Sequence, residues 1–244
     1  MTKFLGIIPA RFASSRLPGK PLVEIAGKTM LEHVYRRALE SQVFFRVIIA
    51  TDDERIYNAA KAFGADVMLT RSDHANGTSR AAEVAQNIDT DYVINIQGDE
   101  PMLDPRLLRE LAEGIAKDEI ADSATACMEL ANEEDINNPN IVKVACAQNG
   151  RALYFSRSPI PYRRENTACK LYEHIGIYGY KKDFLMKLVT LADTPLQQTE
   201  SLEQLKILEH GYTMAVIKTQ YPSQGPNVNT PEDLEAVRKL MENS

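Results

Sequence analysis

The sequence predicts an α/β protein: a mostly parallel central sheet with helices on both faces, joined by a smaller mixed α/β capping lobe. Three observations predict it. Short apolar runs alternate with amphipathic segments through the first 120 residues. Those runs are apolar throughout rather than at every second position, as in strands covered on both faces. Beyond residue 120 the runs carry more small and polar residues and include a hairpin signal, which points to antiparallel additions.

Phe4 to Ile8 is an apolar run of strand length. Residues 29–41 form a helix: Thr29 and Glu32 have capping-box spacing, and Met30, Leu31, Val34, Tyr35, Ala38 and Leu39 recur at helical intervals. Arg46 to Ala50 is a second buried strand. Asp52, Asp53 and Glu54 then put negative charge at the start of a helix, where the dipole favours it. A strand over Ala65–Leu69, a helix over Thr78–Asn87, a strand over Tyr92–Ile96 and a helix over 105–117 continue the alternation. Ala121 to Leu130 reads as a strand. Val142–Ala147 and Ala152–Phe155 flank Asn149-Gly150, a hairpin signal. A strand over 174–180, a helix over Ser201–Glu209, a strand over Thr213–Lys218 and a closing helix over 230–242, started by Thr230-Pro231, complete the chain.

Composition narrows the function classes. The 244 residues fit one domain or one domain with a lobe; the reading is a single domain over 1–244, with halves meeting near residue 120. Lys and Arg total 28 against 34 Asp and Glu, so the net charge is −6 and a dedicated nucleic-acid binder is not expected. Three widely spaced cysteines form no CxxC pair and are expected to be reduced, buried thiols. Pro9 and Arg11 break the first apolar run, and no run approaches membrane-spanning length. A cytoplasmic protein with no membrane segment is the expectation.

Ligands of such sheets bind beyond the carboxyl ends of the strands. Attention therefore falls on residues 9–20, Pro-Ala-Arg-Phe-Ala-Ser-Ser-Arg-Leu-Pro-Gly-Lys. Arg11, Arg16 and Lys20 place three cations just after the first strand, and Ser14 adds a hydroxyl. Arginine grips two phosphate oxygens at once and lysine adds a compact charge. The set suits a triphosphate. It is not a P-loop, and no GxGxxG occurs. Asp99 follows the fourth strand, where a carboxylate facing phosphates suits Mg²⁺. Gly98 beside it is expected to let a nucleotide approach the backbone. His74 and His174 have no zinc spacing.

The blocks PARFASSRLPGKPL (9–22), TRSDHANGTSR (70–80), NIQGDEPM (95–102), ALYFSRSPIPY (152–162), HIGIYGY (174–180), ESLEQLKIL (200–208) and VNTPEDLEAVR (228–238) stand in this order. Together they resemble the 3-deoxy-manno-octulosonate (Kdo) cytidylyltransferases, or CMP-Kdo synthetase family, over nearly the whole chain. The resemblance implies the nucleotide-diphospho-sugar transferase fold, with a CTP-binding half over about 1–120 and a sugar-binding and dimerisation half over 121–244. It implies CTP and a 2-keto-3-deoxy sugar acid as substrates, Mg²⁺ as cofactor and a homodimer. Arg11, Arg16, Lys20 and Asp99 become the catalytic set. CTP contacts fall on Pro9, Ala10, Arg11, Ser14, Arg16, Lys20, Asp73, Gly77, Thr78, Arg80, Gln97 and Asp99. Sugar contacts fall on Gln97, Arg157, His174, Tyr178, Glu203 and Gln204. The metal falls to Asp99 and Asn229.

Two positions depart from the family pattern. Asn229 stands where the family has a second metal carboxylate, and Ser79 where it usually has an acidic residue. A related acceptor, such as 8-amino-Kdo or a sialic-type acid, stays open, as does a CTP-binding homologue with impaired catalysis.

Overall fold

The computed structural model describes residues 2–13, 17–165 and 169–242. In chain order the strands are β1 (Phe4–Ala10), the short ribbon β2 (Glu24–Ile25) and β3 (Lys28–Thr29), β4 (Arg46–Thr51), β5 (Val67–Leu69), β6 (Tyr92–Asn95), β7 (Ser123–Leu130), β8 (Lys143–Cys146), β9 (Ala152–Ser156), β10 (Leu171–Lys181) and β11 (Met214–Lys218). The helices are α1 (Met30–Glu40), α2 (Glu54–Ala62), α3 (Gly77–Ala85), α4 (Pro105–Lys117), α5 (Glu133–Asn137), α6 (Lys182–Leu188), α7 (Pro195–Glu200), α8 (Glu203–Glu209) and α9 (Pro231–Glu242).

The main sheet runs β11-β7-β10-β6-β1-β4-β5, with β8 and β9 attached through β10. β1 pairs in parallel with both β4 and β6, and β4 with β5. β10 runs antiparallel to β6 on one side and to β7 on the other, and β11 lies parallel to β7. The expected mostly parallel half and mixed half thus meet at β10. Its register shifts between Ile175 and Tyr178, a bulge beside Gly176.

Period-two alternation sends the strand side chains to two cores. Ile8, Ile49 and Ile94 pack with Leu31, Val34, Leu107 and Leu111 of α1 and α4. Leu5, Ile7, Ile48 and Val93 pack with Ala81, Val84, Leu185 and Leu205 of α3, α6 and α8 on the opposite face. Each fully buried leucine or isoleucine contributes about 1.5–3 kcal/mol. Capping sets the helix starts. Asp53 accepts from the Arg55 amide at 2.9 Å, and Asp104 from the Arg106 amide at 2.8 Å. Thr29 accepts from the Glu32 amide at 3.2 Å, but the Glu32 carboxylate turns to Arg36, so that capping box is half made.

Cys127 is buried, Cys146 half-buried and Cys169 exposed, all as free thiols; Cys169 departs from the buried expectation. Among the described residues, no helix is long and apolar enough to cross a membrane.

Candidate functional site

The loop after β1 folds back on itself. Gly19 takes a left-handed conformation (φ 70°), which a side chain would oppose. Its amide donates to the Phe12 carbonyl at 3.1 Å, and the Lys20 amide to that of Leu17 at 3.1 Å. Lys20 then begins a 3₁₀ turn, Lys20–Leu22. This return carries its ammonium to Asp99 Oδ2 at 2.8 Å and Asn229 Oδ1 at 3.3 Å. Asp99 and Asn229 are 130 residues apart in sequence. The Val228 amide joins them by donating to the Asp99 carbonyl at 2.9 Å. Asp233 fixes the turn by accepting from the amides of Asn229 and Thr230 at 2.9 and 2.8 Å. Arg11 reaches the other way, donating to the His74 carbonyl at 2.6 Å.

That second contact ties the loop to the start of α3. Asn76 caps the helix: its Oδ1 accepts from the Ser79 amide at 2.9 Å, and the Ser79 hydroxyl donates to the Asn76 carbonyl at 3.0 Å. Ser79 therefore serves in the cap, at the third helical position of a capping box. Gly77, the first helical residue, packs where a Cβ would stand 3.4 Å from Pro9 Cγ. The helix thus starts against the end of β1, and Asn76, Gly77 and Thr78 border the same space.

The space between these elements and β10 is a cavity of about 750 Å³, within the range of small-molecule sites. Its far wall is β10 and α8. His174 is buried, with Nε2 2.9 Å from the Thr125 hydroxyl and its ring edge-on to Phe155. Burial pushes its pKa down to about 3, so the ring is neutral near neutral pH. The Tyr178 hydroxyl donates to Gln204 Oε1 at 3.2 Å, and burial holds it protonated, well above the usual phenol range. Glu203 accepts from the Thr78 hydroxyl at 3.0 Å, and burial raises its carboxyl. Beneath Asp99, Glu100 is 3% exposed. Burial first, and the Asp99 charge second, push its pKa up to about 8.

Of the sequence-predicted nucleotide contacts, Pro9, Ala10, Arg11, Lys20, Gly77, Thr78, Gln97 and Asp99 border this cavity. Ser14 and Arg16 lie outside the described residues. Arg80 and Asp73 are not brought there. Arg80 is fully buried, its guanidinium 3.1 Å from Asp52 and hydrogen-bonded to Thr70. Its neighbours in α3 are core alanines, so its side chain runs inside the fold rather than over the helix surface. Asp73 is exposed and pairs with Arg71 at 3.2 Å.

Of the sugar contacts, Gln97, His174, Tyr178, Glu203 and Gln204 border the cavity. Arg157 does not. It donates to the Glu200 carbonyl at 2.8 Å and the Pro139 carbonyl at 3.1 Å, while Glu200 accepts from its amide at 3.0 Å. Gly98 borders the cavity and also packs closely, since a Cβ there would stand 3.1 Å from the Pro9 carbonyl oxygen.

Several lining residues were not singled out from the sequence: Asn76, Asn95, Asn140, Glu173 and Asn227. Asn76 had a signal, since Asn-Gly-Thr ahead of a helical pattern marks an N-cap. Asn95 had one too, as the polar residue in the apolar run Tyr92–Ile96. Glu173 and Asn227 had none, because long-range pairing alone brings them in.

The donors at Lys20 fit a hard cation. Asp99 offers carboxylate oxygens and Asn229 an amide oxygen; Mg²⁺ is commonly held by one or two carboxylates together with substrate phosphates. Among the described residues no group of three or more His, Cys, Asp or Glu side chains could cage a metal by itself.

The fold and site define a nucleotidyltransferase-type α/β protein. The cytidylyltransferase family profile matches residues 5–218. The 3-deoxy-manno-octulosonate cytidylyltransferase of Solibacter usitatus is 47% identical over 243 residues, covering 99% of this chain and 96% of the relative. That of Escherichia coli is 44% identical, covering 99% of this chain and 97% of the relative. A solved CMP:2-keto-3-deoxy-manno-octonic acid synthetase complexed with CTP superposes with TM-score 0.94 at 43% identity, covering 99% of both chains. The 4-diphosphocytidyl-2C-methyl-D-erythritol synthase of Anaerococcus prevotii, at 13% identity and TM-score 0.64, shares the fold alone. The chain belongs to the cytidylyltransferase family and, within it, to the 3-deoxy-manno-octulosonate cytidylyltransferases.

Proposed function

We propose that the protein activates 3-deoxy-D-manno-octulosonate with CTP, giving CMP-Kdo and pyrophosphate. The C2 hydroxyl oxygen of the sugar bonds to the α-phosphorus as its proton passes to solvent, and the bond from that phosphorus to the bridging oxygen of pyrophosphate breaks, its electron pair leaving with pyrophosphate. The observation that carries this reading is the meeting of Lys20, Asp99 and Asn229 beside a cavity that also holds Arg11 and the Tyr178–Gln204 pair. The near-full-length likeness to a synthetase solved with CTP supports it.

Catalysis of this kind is placement and neutralisation of charge. Arg11, Arg16 and Lys20 hold the phosphates, and the start of α3 borders the nucleotide. Asp99 and Asn229 would hold Mg²⁺, which supplies positive charge to the phosphate oxygens. Lys20 gives up its contact with Asp99 to reach phosphate. Neutral His174 and protonated Tyr178 orient the sugar through hydrogen bonds without adding charge. Glu203 and Gln204 receive its hydroxyls. On the same family reading the enzyme is a cytoplasmic homodimer whose product enters lipopolysaccharide or capsule synthesis.

The test is pyrophosphate release from CTP with and without Kdo and Mg²⁺, with mass spectrometry of products from a panel of 2-keto sugar acids. Release that depends on Kdo is expected. Release with no dependence on any sugar acid overturns the reading, and a preference for another acid in the panel replaces the acceptor.

A further inference from the structure

The geometry points to Asn95 as a residue that holds a hydroxyl of a bound substrate, an inference that rests on the activity proposed above. Asn95 ends β6 and is 2% exposed. Alternation along the strand puts Ile94 and Ile96 in the core under α1 and α4, and Val93 in the core under α3. Asn95 shares the α3 face with Val93, where the packing alone would favour another apolar residue. Pairing sets it opposite Ile7 of β1 and Tyr178 of β10, at the seam of the two halves.

Its Oδ1 has no hydrogen-bond partner among the described residues, although buried amide oxygens are nearly always paired. The residue borders the 750 Å³ cavity. Its Nδ2 lies 4.0 Å from the point a Cβ on Gly77 would occupy, so the amide sits against the start of α3. Gln204 Nε2 on the same lining is buried and also without a partner among the described residues, while its Oε1 is taken by Tyr178. A buried acceptor and a buried donor, each without a partner among the described residues, match a hydroxyl, which gives one hydrogen bond and takes another. Phosphate does not match a carbonyl oxygen, since it brings no donor; Arg11 and Lys20 supply what phosphate needs. Two substrate parts carry hydroxyls, the ribose of the nucleotide and the sugar acid.

Asn95→Leu keeps the size and removes both polar ends. The expected result is at least a tenfold rise in KM for one cosubstrate. A rise for the sugar acid places the hydroxyl on the acceptor. A rise for CTP, with loss of discrimination against 2′-deoxy-CTP, places it on the ribose. The thermal midpoint of the ligand-free variant should hold or rise, because an unmet buried acceptor has gone. A merely structural amide would lower that midpoint and leave both KM values in place. Both KM values within twofold of wild type overturn the inference. Wild type assayed alongside separates the two failures: wild type without sugar-dependent turnover sinks the activity, whereas active wild type with an unaltered variant sinks Asn95 alone. Asn95→Ala carries the same readouts if the leucine variant does not fold.

Discussion

Lys20 and Asn229 decide how the anionic end of the site is balanced. The Lys20 ammonium bonds to both Asp99 and Asn229, so it serves one carboxylate and one neutral amide. Lys20→Ala should lower kcat/KM at least tenfold, the effect of losing one charge-assisted contact of about 1.5–3 kcal/mol. Steady-state pyrophosphate release measures it, and an unchanged value would remove Lys20 from the phosphate site. Asn229→Asp should lower the Mg²⁺ concentration needed for half-maximal activity several-fold, because a second carboxylate joins Asp99. Titration of Mg²⁺ at fixed CTP checks this. An unchanged midpoint would show that Asn229 does not face the ion.

At the scale of elements, the start of α3 is both a capped helix end and part of the cavity lining. Asn76→Ala removes the cap on the Ser79 amide and should cost about 1 kcal/mol. It should also raise KM for CTP, since Asn76, Gly77 and Thr78 border the cavity. Urea unfolding and CTP titration read the two effects separately; a stability loss with unchanged CTP affinity would leave Asn76 a cap only. Legibility from sequence followed the same division. The parallel strands and the helices α1 to α4 were legible because their apolar patterns are local, and α4 matches its expected span, 105–117. The ribbon β2–β3 and the short helices α5, α6 and α7 were not, having too few residues to show a period. Cavity residues on β1, the α3 cap and α8 were reachable through local motifs. Arg80 and Arg157 lie off the cavity lining, and a basic residue in a motif does not show whether its guanidinium turns to solvent, to ligand or to the fold. Arg80 found Asp52, and Arg157 found backbone carbonyls.

For the whole molecule, two buried groups set opposing pH dependences. The folded pKa of His174, about 3, lies below its ordinary 6.5 because of burial. Between those values the unfolded chain binds a proton the folded chain does not, so stability falls as pH drops from 6.5 toward 3. Glu100 is raised from 4.5 to about 8 by burial and then by Asp99. The folded chain keeps a proton the unfolded chain releases, so stability falls as pH rises from 4.5 toward 8. Each slope reaches at most about 1.4 kcal/mol per pH unit. The combined contribution of these two groups to the metal-free protein's stability should therefore be largest between about 4.5 and 6.5, where the slopes oppose. Glu100→Gln should flatten the alkaline decline. Urea midpoints across this range test it, and an unaltered decline in that variant would exonerate Glu100.

The reversed strand β10 is stitched along one edge to β6 and along the other to β7. Neither portion of the chain can peel away without tearing a ladder the other relies on. Heating should accordingly melt the protein in one cooperative step, with calorimetric and van't Hoff enthalpies agreeing. Two resolved transitions would mean that the seam is a hinge rather than a weld.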